Sequence, residues 1–247
     1  YCKYIEQIVS RRNSISGRLY KDEPAIMAWQ LCNEPRPFAR DSGTKEMFAH
    51  WIARAAAFIK SIDPNHLVST GSEGSIGCEA DVELCERMHA DPNIDYLTIH
   101  IWPVNWGWAP RTNPDSGIDN ACAKSTQYIA LHAEMANRLG KPLVIEEFGY
   151  SRQGNKSGVG APTGSRDRFY NHIFSEVKRS IATGGPIAGC NFWGWGGFAN
   201  HTPGHTYWEA WDDYMGDPAQ EQQGLNSVFA SDSTTIAIIK SENEKLK

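Results

Sequence analysis

Five short apolar runs, at residues 25–32, 66–70, 96–101, 143–145 and 187–192, are separated by longer stretches with helical spacing. The runs are continuous rather than alternating. A strand that is apolar on both sides needs cover on both sides, and a parallel sheet flanked by helices provides it. Between the first two runs, Met47, Phe48, Trp51, Ile52, Ala55, Phe58, Ile59 and Ile62 line one helical stripe, and Pro64-Asn65 ends it. Further helices are predicted at residues 121–139, 166–183 and 233–246, with a first one over Tyr4, Ile5, Ile8 and Val9. Without a repeat, a linker or a low-complexity segment, residues 1–247 read as one domain.

Each run ends in polar or aromatic residues: Asn33-Glu34, Ser72-Glu73, His100-Ile101-Trp102, Glu146-Glu147 and Trp193-Gly194-Trp195. Chemistry at the ends of successive parallel strands predicts a (β/α)8 TIM barrel, whose site lies at that face. An open doubly wound sheet would gather such residues at one switch point, and the glycine-rich phosphate fingerprint that goes with it is absent. A barrel has eight strands, and an open edge would leave backbone groups unpaired. The expectation is therefore a C-terminal portion of the barrel lacking its first three βα units. Those units would lie upstream or come from a separate N-terminal segment completing the barrel.

The net charge of -5, with 21% charged residues, excludes the basic footprint of a nucleic-acid binder. Nine Trp, several beside Gly, Asn and Pro, offer flat apolar surface that suits a sugar ring as well as a core. No stretch has the length of a membrane span, and the first residues have helical spacing rather than the pattern of a signal peptide. Of six cysteines, Cys32 and Cys190 lie in apolar runs and are expected to be buried, with Cys2 and Cys122 unassigned. Cys78 and Cys85 share a predicted loop and could pair in an oxidising compartment. Asn155-Lys156-Ser157 and Asn200-His201-Thr202 match the glycosylation sequon.

Cleavage of a glycosidic bond needs one carboxyl group to protonate the leaving oxygen and a second to attack or to activate water. Glu34 and one of the adjacent pair Glu146 and Glu147 are the candidates. Strand side chains alternate, so only one of that pair can face the interior, and Glu147 is expected to do so.

The segments WQLCNEPR, TIHIWPVNWGW, LVIEEFGYSR and NFWGWGG, in that order, resemble the β-mannanase branch of glycoside hydrolase family 5 over nearly the whole chain. The resemblance implies strands four to eight of a (β/α)8 barrel and retaining cleavage of β-1,4-mannosidic bonds. It implies Glu34 as general acid/base and Glu147 as nucleophile. Asn33 matches the residue that bonds the substrate 2-hydroxyl, and His100 matches the histidine near the acid/base. Trp102 stands where many relatives have a tyrosine that donates to the nucleophile. Trp193 matches the aromatic platform under the sugar, Arg36 and Glu73 match contacts on the leaving side, and Trp106 and Trp108 would lengthen the cleft. A β-mannan or manno-oligosaccharide partner is implied, with no cofactor, no metal, no nucleic acid, no membrane span, and a secreted, periplasmic or cell-surface location. Two rival readings are a cellulase-like β-1,4-glucan hydrolase and an inactive carbohydrate-binding fragment. His201 and His205 have metal-ligand spacing but sit around Pro203-Gly204, so a surface loop is expected. Asp212, Asp213 and Asp217 could hold calcium, and a substrate-side or plain surface loop is preferred.

Overall fold

The computed structural model describes residues 1–245. The elements run α1 (Cys2–Val9), β1 (Ala28–Gln30), α2 (Ser42–Ile62), β2 (Leu67–Ser69), α3 (Val82–His89), β3 (Leu97–Ile101), α4 (Ile118–Leu139), β4 (Leu143–Phe148), α5 (Gly164–Ala182), β5 (Ile187–Cys190), β6 (Trp195–Gly197), β7 (Val228–Phe229) and α6 (Ser233–Lys245). The expected continuation of α6 to Leu246 lies outside the described residues. Contacts divide the chain into two compact units, Tyr1–His100 with His132–Val144, and Ile101–Leu131 with Ile145–Lys247. The division falls within β3 and β4, so each of these strands belongs to both units.

In the first unit, β1 and β2 pair in parallel, with Trp29 opposite Val68 and Gln30 opposite Ser69. The connection between them is α2. Asp41 caps its N-terminus by accepting from the Thr44 amide at 2.8 Å. Of the expected stripe, Phe48, Ile52, Ala55 and Ile59 are buried, while Met47 is 66% exposed. The turn after α2 is built on Asp63, which is fully buried. Its carboxylate accepts from the Trp29 indole at 2.7 Å and from the amides of Asn65 and His66 at 3.0 and 3.1 Å. The His66 ring approaches it at 2.6 Å. One carboxylate thereby ties β1 to the entry of β2.

The second unit packs α5 against β4. Phe169, Tyr170, Ile173, Phe174 and Val177 of α5 are buried. Phe148 meets Tyr170 and Phe174 edge-on, with ring centroids 4.9 and 5.9 Å apart. Burial of each such ring stabilises by ~1.5–3 kcal/mol. Strands β3, β4 and β5 are neighbours in that order, and β6 and β7 form a separate parallel pair. Arg152 and Arg166, both fully buried, converge on Asp232 and on the Ser227 carbonyl. This fastens the segment after β4 to the segment around β7. Among the described residues, no helix is long and apolar enough to cross a membrane.

Several expectations are corrected. The run at 25–32 yields only β1: the Leu31 amide still bonds the Ser69 carbonyl of β2, and past it the chain turns so that the Glu34 amide meets the Gly71 carbonyl. Cys32 is exposed rather than buried for the same reason, and Cys190 is half-buried. Cys85 lies on α3 rather than in a loop; Leu84, Cys85 and Met88 have helical spacing over its eight residues. Asp81 caps it, accepting from the Leu84 amide at 2.9 Å. Strand β4 runs on to Phe148 and so carries both adjacent glutamates.

Burial by itself raises the pKa of Asp63, but the donors on Trp29, His66 and Asn65 together hold it below its ordinary 3.8. A lowered value means stability that is present above 3.8 and lost as pH falls through the folded-state value. Asp63→Ala is expected to cost about 2–4 kcal/mol at neutral pH, measured by urea unfolding, because several buried donors lose their acceptor. The deficit should shrink well below pH 3.8. An equal deficit in acid and at neutrality would contradict the role given to the charge.

Candidate active site

One group of candidate residues lies in the first unit. After β1 the chain turns towards β2, and the Glu34 amide donates to the Gly71 carbonyl at 2.9 Å. This approach needs glycine at 71: its φ is +70°, and an added Cβ would lie 2.1 Å from the Cys32 carbonyl oxygen. Glu34 itself has φ +48°, a left-handed conformation that costs a non-glycine residue roughly 1–2 kcal/mol. The acid therefore stands past the strand in a strained turn, four residues after β1 ends, rather than on the strand tip as expected. Its Oε1 lies 2.8 Å from Nδ1 of His100, whose side chain is buried on β3 while that of Glu34 keeps 28% exposure.

Glu73 completes this group. Its carbonyl accepts from the His100 amide at 3.2 Å, and its buried carboxylate contacts the Arg36 guanidinium. Burial, and then the negative charge of Glu34, push the Glu73 pKa up, with Arg36 opposing. Arg36 and Glu73, expected as separate sugar contacts, are thus partners of each other. Asn33 is exposed beside Glu34.

A second group lies in the second unit. Glu147 is buried on β4 while its neighbour Glu146 is half-buried, as side-chain alternation requires. The Trp102 indole Nε1 donates to Glu147 Oε2 at 3.2 Å. Gly149 permits this, because a Cβ there would come within 2.4 Å of the Trp102 ring. Trp193 follows β5, held by its amide donating to the Phe148 carbonyl at 2.9 Å, and its ring is partly exposed. Trp106 and Trp108 pack on each other at 4.9 Å and on Tyr128 at 5.3 and 5.8 Å, so both indoles are partly withdrawn into that cluster.

The remaining candidates belong to a loop after β6. His201 and His205 are on non-helical chain, and His205 faces the Asp212 carboxylate at 2.9 Å. Asp217 is a correction to a surface expectation: it is 1% exposed and accepts from the amides of Gly224 and Asn226 and from the Ser227 hydroxyl. Asp213 accepts from the Asn200 amide at 2.8 Å. These acids organise loop backbone. Sequence reasoning missed Gly71 and Gly149, although each sits in a quoted or adjacent motif, because a close approach of two backbones leaves no trace in residue type beyond the glycine itself.

A carboxylate beside an imidazole, a second beside an indole donor, and an aromatic face form the side-chain equipment of a glycoside hydrolase. The chain belongs to glycoside hydrolase family 5: the beta-mannosidase-like model of that family matches residues 1–247. Mannan endo-1,4-beta-mannosidase 3 of Arabidopsis thaliana is 31% identical over 261 residues, covering 100% of this chain and 56% of its own length. Mannan endo-1,4-beta-mannosidase 1 of Solanum lycopersicum is 34% identical over 206 residues, 77% of this chain and 47% of its own. The chain spans about half the length of the curated relatives that it matches. Among solved structures, the family 5 mannosidase of Rhizomucor miehei is 32% identical with a TM-score of 0.86, covering 99% of this chain and 57% of that one. A mutant of the same enzyme, in complex with mannosyl-fructose, has a TM-score of 0.84 at 30% identity, with the same two shares covered. These neighbours imply the (β/α)8 barrel fold for the chain, and its α/β content agrees.

A carboxyl group held above its ordinary 4.5 stabilises the fold while protonated and loses that contribution as pH rises through the raised value. Glu73→Gln keeps a neutral polar group, so its stability should decline less than the parent's as pH rises from 4.5 through that window. Denaturant melts at several pH values measure this. Parallel curves would show that the Glu73 charge carries no such cost. In the second group, Gly149→Ala should displace Trp102, and the quenching environment of its indole fluorescence should change; an unaltered spectrum would contradict the close approach.

Proposed function

We propose that the protein is a retaining hydrolase of β-1,4-linked mannan and manno-oligosaccharides, with Glu34 as general acid/base and Glu147 as nucleophile. The observation that carries this reading is that each carboxylate has a partner suited to its role: Glu34 Oε1 lies 2.8 Å from His100 Nδ1, and Glu147 Oε2 accepts from the Trp102 indole at 3.2 Å. Retaining cleavage needs two such carboxyl groups.

Glu34 protonates the glycosidic oxygen as Glu147 attacks the anomeric carbon, giving a covalent mannosyl–enzyme and a shortened leaving sugar. Glu34 then accepts a proton from water, which releases the sugar with its configuration retained. The Trp102 N–H bears on the ionised nucleophile, where relatives with a tyrosine would use a hydroxyl. His100, beside Glu34, fixes the orientation of the acid/base. Trp193 offers its ring to the CH face of the sugar, Asn33 its amide to the 2-hydroxyl, and Arg36 with Glu73 a polar rim on the leaving side. The mannan substrate is supported by the names of the curated relatives and by the mannosyl-fructose bound to the Rhizomucor mannosidase mutant. Action outside the cell belongs to the same reading.

Hydrolysis of mannohexaose by the purified protein tests the proposal. Glu147→Ala should abolish turnover, and Glu34→Ala should lower kcat roughly 10²–10⁴-fold, while an aryl mannoside whose leaving group needs no proton should still give a burst of released phenol, because only the second step then lacks its base. Cleavage of cellohexaose in preference to mannohexaose would replace mannan with glucan. Turnover surviving Glu147→Ala would overturn the mechanism. Trp102→Phe should reduce kcat/KM about tenfold or more through loss of one hydrogen bond to a charged group. An unchanged value would remove Trp102 from the site.

A further inference from the structure

Cys78 and Cys85 are each fully buried, and their side chains are in hydrogen-bonding contact. What brings them together is a reversal of the chain between a short 3-10 turn at Ile76–Cys78 and the start of α3. Glu79 and Ala80 are both left-handed, with φ of +57° and +62°, a conformation that two successive non-glycine residues adopt only when their surroundings impose it. The Asp81 amide donates to the Cys78 carbonyl at 3.1 Å, and the Cys85 amide donates to the Asp81 carbonyl at 3.1 Å. The Ala80 amide also closes onto the Ser75 carbonyl at 2.9 Å. Two thiols are thus presented to each other in a dry pocket by a backbone already fixed in the turn.

We propose that Cys78 and Cys85 form a disulfide that closes this turn when the protein folds under oxidising conditions. The oxidant is a small-molecule disulfide such as oxidised glutathione. One cysteine thiolate attacks it, forming a mixed disulfide and releasing one glutathione. The second cysteine attacks the protein-bound sulfur, releasing the other, and the two protons leave with the two reduced thiols. Because both sulfurs are buried, the exchange proceeds while the turn is forming or opened. The bond would brace the floor beneath Glu73: a Cβ on Gly77, the residue before Cys78, would lie 3.3 Å from Ser72 Oγ and 3.5 Å from Glu73 Cβ. The inference stands apart from the proposed activity.

The protein is unfolded and refolded in oxidised and reduced glutathione, quenched in acid, then alkylated under denaturing conditions and cut with trypsin. Both cysteines fall on one peptide, residues 61–87. The expected result is that this peptide is two hydrogens lighter than the dithiol and carries no alkyl group, and that dithiothreitol restores two alkylated cysteines. The oxidised protein should melt roughly 5 °C higher than the reduced one. In the Cys78→Ala/Cys85→Ala double variant, this difference should vanish. Peptide 61–87 alkylated at both cysteines after oxidative refolding, or either cysteine bridged elsewhere, would overturn the proposal. So would an oxidised form that melts no higher than the reduced one.

Discussion

A carboxylate on the border of an apolar core needs a donor beside it, since desolvation without a partner neutralises or expels the charge. Both candidate carboxylates meet that requirement. β3 is buried along its whole length and carries His100, the imidazole beside Glu34, while Trp102, past the end of β3, donates its indole N–H to Glu147. Neither glutamate is placed by its own strand alone. Glu34 reaches its partner through a strained turn anchored on Gly71, and Glu147 meets its partner only because Gly149 has no side chain to keep the indole away.

Away from the site, buried acids do the work of fastening loops. Asp63 joins β1 to the entry of β2, Asp217 gathers the amides of a loop before β7, and Asp232 receives two buried arginines while its carbonyl accepts the Ile236 amide of α6. These residues have several donors each, as buried carboxylates require. They also explain how strands of only two to four residues hold their positions: the loops between them are tied internally rather than left to the ladders.

The periodicity of the chain made most of the architecture legible. The helices corresponding to α2, α4 and α5 and the strands β3 and β5 lie where apolar spacing puts them, since long stripes and continuous apolar runs have few other ways to be buried. Boundaries were legible less well. Residues 25–27 and 31–32 look like strand by composition, but β1 covers only Ala28–Gln30, and the close approach of Cys32 to Gly71 marks the turn after it. α3 is short, and although Asp81 stands at its cap and Leu84, Cys85 and Met88 have helical spacing, two turns are hard to tell from a loop by pattern alone. At the site, residue identities were legible through motif resemblance, whereas the pairing of Arg36 with Glu73 and the clustering of Trp106 and Trp108 on Tyr128 depend on side chains from distant parts of the chain.

Glycine at 71 and at 149 is a requirement of space rather than of flexibility: a side chain at 71 would strike the Cys32 carbonyl oxygen, and one at 149 the Trp102 ring. Any remodelling of this chain therefore has to keep those two positions bare, whatever it changes in the loops around them.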